Sequence, residues 1–316
     1  MITMSNTHIL ISGCGSIGTR HAHNLCALGL NVTTCDPHAE ADYKDFEEAL
    51  KEEKPAVVFI CSPTKLHIPQ ALAATKAGCH LFIEKPLSHT LDGIEELQKE
   101  VNDRELITMV GCNMRFAFGP SAVKKILDAG TIGKIMKSTV YTGSYLPDWR
   151  PQNDHKKSYS ADPAQGGAIL DCIHEIDIAL WYAGPARLES VTKESAESIG
   201  IDVEGTADLT LQHESGATSD VHLSFIEPEY KRFCDIEGEK GSVRWDFSEK
   251  KVDVKDAEGN VTETIKEPEG YDINQMYMDE VEHFLACVEQ KSIPEGNLEE
   301  ARQTLEIALA AKSMTV

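Results

Sequence analysis

The sequence predicts an α/β protein in two parts, a doubly wound parallel sheet followed by a region of antiparallel strands. Three observations carry this. Short apolar runs alternate with helix-patterned stretches over the first 115 residues. A glycine fingerprint joins the first run to the first helical stretch. After Gly133, strand-like segments follow one another with little helix between them.

The apolar runs are His8–Ser12, Leu30–Cys35, Ala56–Cys61, His80–Glu84 and Leu106–Cys112. Between them, stretches such as Ile68–Leu72 and Ile94-Leu97-Val101 space apolar residues as one helix face does. Apolar runs separated by helices belong to a parallel sheet covered on both faces, and right-handed crossovers wind it twice. Residues 134–145, 189–198, 206–213, 217–226, 232–238 and 241–247 read as strands, with Gly216, Gly241 and Gly259 at tight connections. Strands without intervening helices pair antiparallel. One helix is predicted at 167–183, and two more at 274–290 and 297–313 close the chain. The predicted domains are 1–118 and 119–316, with the closing helices available to pack back on the first.

Composition narrows the function. The 316 residues are 41% hydrophobic, enough to bury a sizeable core. Against 52 acidic residues stand 30 basic ones, a net charge of −22. That balance argues against a general nucleic-acid binder and against docking on anionic lipid. Residues 246–300 hold 16 acidic and 5 basic residues and read as a solvated acidic face. Nine cysteines, an odd count with no C-x-x-C pair, read as small buried thiols of a reducing cytoplasm. No apolar run approaches the roughly 20 residues that span a bilayer. Met1–Asn6 lacks the features of a signal peptide, so the expected location is cytoplasmic.

The first motif is Gly13-Cys14-Gly15-Ser16-Ile17-Gly18, placed after a strand and opening a helix. This is the context of a Rossmann dinucleotide fingerprint. Gly13 permits the tight turn, Gly15 admits a pyrophosphate, and Gly18 lets helix and strand approach. Ser16 and Ile17 begin the helix whose N–H groups face the phosphates. Asp36 lies 18 residues after Gly18, where a carboxylate accepts bonds from a ribose diol and repels a 2′-phosphate. The expected cofactor is therefore NAD rather than NADP; the competing reading is a turn aspartate before Pro37.

The second motif, Glu84-Lys85-Pro86, ends the fourth run. The third run ends in Ser62-Pro63-Thr64, followed by His67. Ligands of open parallel sheets bind at the carboxyl ends of strands, so both turns should face the cofactor. The third constellation is Gly166-Gly167…Asp171…His174…Asp177. Residues three apart on a helix share a face, and polar groups there are costly unless they pair or serve a site. The glycines are expected to leave room for another molecule. A histidine satisfied by a neighbouring carboxylate competes with this reading. No metal is expected, for want of a third soft ligand.

Together these motifs, with Gly111-Cys112-Asn113-Met114-Arg115-Phe116, resemble the Gfo/Idh/MocA family of nicotinamide-dependent sugar oxidoreductases over nearly the whole chain. The resemblance implies a second α+β domain with a large open antiparallel sheet, pairing through that sheet into homodimers or homotetramers, and a cis Lys85–Pro86 bond. It implies that Lys85 and His174 handle the proton of the reacting hydroxyl, with Asp171 holding the substrate or orienting the histidine. It places Asn113 with the cofactor and Arg115 with the substrate. Many members space the Asp/His pair by four; here the spacing is three.

The segment Tyr145–Tyr159 precedes the constellation and clusters Trp149, Arg150, His155, Lys156, Lys157 and Tyr159. It reads as a loop that binds an anionic sugar derivative, such as a nucleotide sugar or sugar acid, or else as an ordinary exposed loop. The predicted function is hydride transfer between NAD and a secondary hydroxyl or keto carbon of a sugar derivative. The alternatives are an NAD-using redox-elimination glycosidase of the same fold and a non-catalytic NAD-binding regulator.

Overall fold

A computed structural model describes residues 7–152 and 154–314; the expectation for Met1–Asn6 lies outside them. The chain divides into two compact units. One is Met1–Asn113 with Ile273–Leu305, and the other is Met114–Asp272 with Glu306–Val316. The first break thus falls at Asn113, a little before the expected 118.

The first unit alternates β1 (His8–Ser12), α1 (Ser16–Ala27), β2 (Asn31–Cys35), α2 (Phe46–Glu53), β3 (Val57–Ile60), α3 (His67–Lys76), β4 (His80–Glu84), α4 (Ile94–Asp103) and β5 (Thr108–Gly111). All strands are parallel, in the order β2-β1-β3-β4-β5. Val57–Ile60 and Leu81–Ile83 are wholly buried, which is why these strands read as unbroken apolar runs. The strand order reverses at β1, whose neighbours are β2 and β3. The carboxyl ends there form the crevice in which such sheets bind ligands.

The second unit opens with α5 (Phe118–Asp128) and β6 (Ile135–Tyr145). Three short helices follow, α6 (Leu146–Trp149), α7 (Ala168–Asp171) and α8 (His174–Ala183). Then come β7 (Ala186–Ser195), β8 (Glu204–His213), β9 (Thr218–Ser224), β10 (Ile226–Gly238), β11 (Gly241–Asp246), β12 (Lys251–Asp256) and β13 (Val261–Lys266). They form one eight-stranded sheet, ordered β13-β12-β11-β10-β6-β9-β8-β7. Burial alternates along its strands, as in Val140, Val221 and Leu209, and the helices α5, α7 and α8 pack on it.

Two expectations need correction. The sheet is not wholly antiparallel, because β6 and β9 run parallel. A parallel neighbour needs a crossover, and the helical stretch between β6 and β7 supplies it. Strands β12 and β13 were not predicted at all. Their charged and polar residues hid a hairpin whose signal was there: Val252 and Val254 are buried between half-exposed Lys251, Asp253 and Lys255.

The chain closes with α9 (Asn274–Gln290), in the first unit, and α10 (Leu298–Ser313), which the division cuts after Leu305. In the first unit Phe284 of α9 packs edge-on to Phe59 and Phe82, which stack at 4.6 Å. The nine cysteines form no disulfide, and burial pushes the thiols of Cys35 and Cys79 up to about 11. Cys26 is exposed and Cys14 half-buried, unlike the rest. Among the described residues, no helix is long and apolar enough to cross a membrane.

Candidate active site

The glycine loop is built as its residue types require. Gly13 has φ +96°, and a Cβ on it would lie 2.5 Å from the Cys61 carbonyl. A Cβ on Gly18 would lie 1.8 Å from the Gly13 oxygen, so helix and loop touch. A Cβ on Gly15 would meet nothing within 4 Å. Gly15 is also the N-cap of α1, which has no side-chain cap and no acidic residue in its first turn. Ser16 and Ile17 therefore open a helix end suited to an anion. Asp36 closes the loop: its carboxylate accepts from the amides of Cys14 (2.8 Å), His38 (2.7 Å) and Ala39 (2.8 Å). Burial raises its pKa, but the bonds from Ala39, Cys14 and His38 more than offset this. The net shift is downward, so Asp36 stays ionised. An open cradle, an uncapped helix end and an ionised carboxylate fit a dinucleotide.

The two neighbouring turns are tied by side chains. Ser62 and Ser12 both donate to Oε1 of Gln70, at 2.7 and 3.0 Å. Pro63 is exposed and Thr64 buried. Lys85 is half-buried, and the Lys85–Pro86 bond is cis. Asn113 is 9% exposed and leaves Oδ1 buried without a hydrogen-bond partner, an acceptor open to a ligand amide. Two residues expected to face the cofactor are deeply buried and have protein partners. His67 is 1% exposed, with each ring nitrogen against a backbone carbonyl. Glu84 is 8% exposed and held by His21 at 2.7 Å, a partner the sequence reading missed.

In the second unit the segment after β6 folds around a cavity of about 430 Å³. Its walls include Trp149, Arg150, Asp154, His155, Lys157 and Tyr159. The Trp149 indole donates to Ser144 at 3.1 Å, and a His155 nitrogen lies 2.9 Å from the Ile199 carbonyl. Lys156, expected to bind substrate, is not in this wall. Its ammonium lies beside Gly200, because the 3-10 turn His155–Lys157 sends adjacent lysines in different directions. Lys157 takes the wall position.

Gly166 and Gly167 do not leave room for a second molecule. A Cβ on Gly166 would lie 2.4 Å from the carbonyls of Tyr159 and Ser160, and one on Gly167 2.2 Å from the Glu204 carboxylate. The chain itself fills the space, which brings Tyr159 to the helix that carries Asp171. The Tyr159 hydroxyl faces the Asp171 carboxylate, to which it can donate. Burial first, then the Asp171 charge and that bond, push the phenol well above its ordinary pKa, with Arg150 opposing.

The single helix expected over 167–183 is also corrected. It breaks at Cys172 (φ −96°, ψ 28°), where Glu175 N bonds the Cys172 carbonyl three residues back, at 3.3 Å. Asp171 ends α7 and His174 starts α8, so they do not share one helix face. Each half is anchored separately. Asp171 is held by Tyr159, Glu175 by Arg232 at 2.7 Å, and Asp177 by Arg115 through a two-pronged pair at 2.8 and 2.6 Å. Burial opposes the Arg232 charge, yet Glu175 more than compensates and raises its pKa. Arg115, expected at the substrate, is 3% exposed in that fork. His174 is half-buried. Among the described residues, no cluster of three or more His, Cys, Asp or Glu could hold a metal ion.

Comparison with known proteins agrees with this architecture. The family model of oxidoreductases with an NAD-binding Rossmann fold matches residues 7–112, and that of the GFO/IDH/MocA C-terminal domain matches residues 121–244. The chain is 27% identical to the myo-inositol 2-dehydrogenase of Thermotoga maritima, over 96% of this chain and 94% of that protein. It is also 27% identical to the scyllo-inositol 2-dehydrogenase (NAD(+)) of Bacillus subtilis, over 90% and 80%. A solved scyllo-inositol dehydrogenase of Lactobacillus casei, with bound NAD(H) and scyllo-inositol, shares the fold. Its TM-score is 0.78 at 22% identity, covering 96% of this chain and 95% of that one.

Proposed function

The chain belongs to the Gfo/Idh/MocA family of NAD-dependent oxidoreductases that act on CH–OH groups, and from that premise we propose that it oxidises a secondary hydroxyl of an anionic sugar derivative, or runs the reverse reduction. The observation that carries the substrate reading is the cavity whose wall sets Arg150, His155 and Lys157 beside Trp149 and Tyr159. Guanidinium and ammonium groups suit a carboxylate or phosphate, and aromatic rings suit a sugar face. NAD, when bound, takes up the hydride.

The protein's own part is proton handling and positioning. Lys85 donates a hydrogen bond to the reacting oxygen, and His174 accepts its proton. Asp171, fixed by Tyr159, orients the histidine or the substrate. Asp36 selects NAD, because a carboxylate repels a 2′-phosphate. The test is NADH formation, read by absorbance, across nucleotide sugars, sugar acids and neutral polyols. Turnover confined to one acidic class supports the reading. Turnover of neutral polyols alone, or reduction of NADP in preference to NAD, counts against it.

We also propose self-association through the sheet face opposite the helices. There His222, Tyr141 and Phe233 stack in a row at 4.2 and 4.9 Å, with the Arg244 guanidinium 4.4 Å from Phe233. Sedimentation velocity tests this: a monomer at micromolar concentration contradicts it.

A further inference from the structure

We propose that two buried histidines, His21 and His67, act as positioning residues for Lys85, gripping the residues on either side of it. This rests on the reading of Lys85 as the group that meets the reacting hydroxyl. On one side stands Glu84. Its Oε1 lies 2.7 Å from Nε2 of His21, and its Oε2 accepts the Lys85 amide at 3.2 Å. A Cβ on Gly111 of the neighbouring β5 would come within 3.2 Å of that carboxylate, so the carboxylate is closely confined. On the other side stands Pro86, whose carbonyl oxygen lies 3.0 Å from Nδ1 of His67. The opposite nitrogen of the same ring lies 2.8 Å from the Ser62 carbonyl. One rigid imidazole thus sits between the turn after β3 and the turn after β4, and the neutral ring donates its one N–H to one of the two carbonyls.

Neither histidine is placed where stability alone would put it. His21 is 0% exposed, among Phe59, Phe82 and Tyr277, and its Nδ1 is buried without a hydrogen-bond partner. A buried polar pair seldom stabilises more than well-packed apolar side chains of similar size. Such groups fix a geometry instead, and the geometry fixed here is the backbone from Glu84 to Pro86. His67 is 1% exposed, and it too bonds backbone rather than solvent.

The test reads Lys85 directly and needs no substrate. The full-length protein is labelled with acetic anhydride, and each lysine's rate is measured by mass spectrometry, with exposed Lys99 as internal reference. Expected for His67→Leu is a change of about fivefold in the Lys85:Lys99 ratio, the equivalent of one ordinary hydrogen bond. His67→Asn, which keeps an N–H near the Nδ1 position, should restore the ratio. His21→Leu should shift it as well. Should that variant not fold, the double variant His21→Leu/Glu84→Gln, which leaves no buried carboxyl without its partner, is read in its place. An unchanged ratio, a shift that His67→Asn does not restore, or all lysines moving together would overturn the proposal. Lys85→Ala tests the underlying reading separately. If turnover survives that change, Lys85 is not catalytic, while the labelling ratio still decides whether the histidines hold it.

Discussion

The Tyr159 hydroxyl faces the carboxylate of Asp171, which is 5% exposed and to which it can donate. A phenol whose pKa is pushed well above its ordinary value remains a donor at every pH of interest. Tyr159→Phe leaves the ring and removes the donor. A lost hydrogen bond to a buried charge is worth about tenfold or more in rate if Asp171 acts on the reaction. Steady-state kinetics should show a lower kcat with NADH affinity unchanged. An unaltered kcat would remove Asp171 from the catalytic set.

The glycine loop separates folding from binding. Gly13→Ala would place a Cβ 2.5 Å from the Cys61 carbonyl at a φ of +96°. Left-handed strain alone costs about 1–2 kcal/mol, and the clash adds to it. Thermal unfolding should register the loss. Gly15→Ala meets nothing within 4 Å and should leave unfolding unchanged while weakening NAD. Equal melting temperatures for the two variants would contradict this assignment.

Acid should weaken the fold before carboxylates matter. Burial lowers the pKa of His67, His80, His213 and His283 from the ordinary 6.5. As pH falls through about 6.5, the unfolded chain takes up these protons first, so stability declines toward the lower folded values. The depressed carboxylates, Asp36 and Asp246 among them, add stability above about 4 that is lost only in stronger acid. Thermal scans at about pH 7.5 and pH 5.5 should show the lower melting temperature at the lower pH. A higher one would contradict the burial argument.

Arg115 and Asp177 form a fully buried fork, 3% and 1% exposed. Arg115→Leu strands the carboxylate and should cost about 3–5 kcal/mol, whereas replacing both by apolar residues should recover much of it. Denaturant unfolding of the single and double variants decides this. A single variant as stable as the parent would show that the fork contributes little.

What the sequence revealed follows from how local each cause is. Strands β1, β3 and β4 are buried on both faces and read as unbroken apolar runs. The roles of Gly13 and Gly18 follow from spacing alone. Long-range pairing left no such trace. Arg115 meets Asp177 across 62 residues, and nothing near either names the other. The parallel β6–β9 pair depends on which strands become neighbours, which alternation does not encode. The break at Cys172 carries no glycine or proline to mark it. Lys156 and Lys157 differ only in the direction a 3-10 turn sends them. His67, read as a cofactor contact from its place after Ser62-Pro63-Thr64, lies between two backbone carbonyls that its spacing does not reveal.

The most direct test of the central claim pairs two quantities in Lys85→Ala and His174→Ala: kcat on the sugar found active in the substrate screen, and the NADH dissociation constant. Proton transfer by a positioned group is worth about 100-fold or more. The account predicts that loss in each kcat, with NADH affinity nearly unchanged. Wild-type turnover in both variants would contradict it.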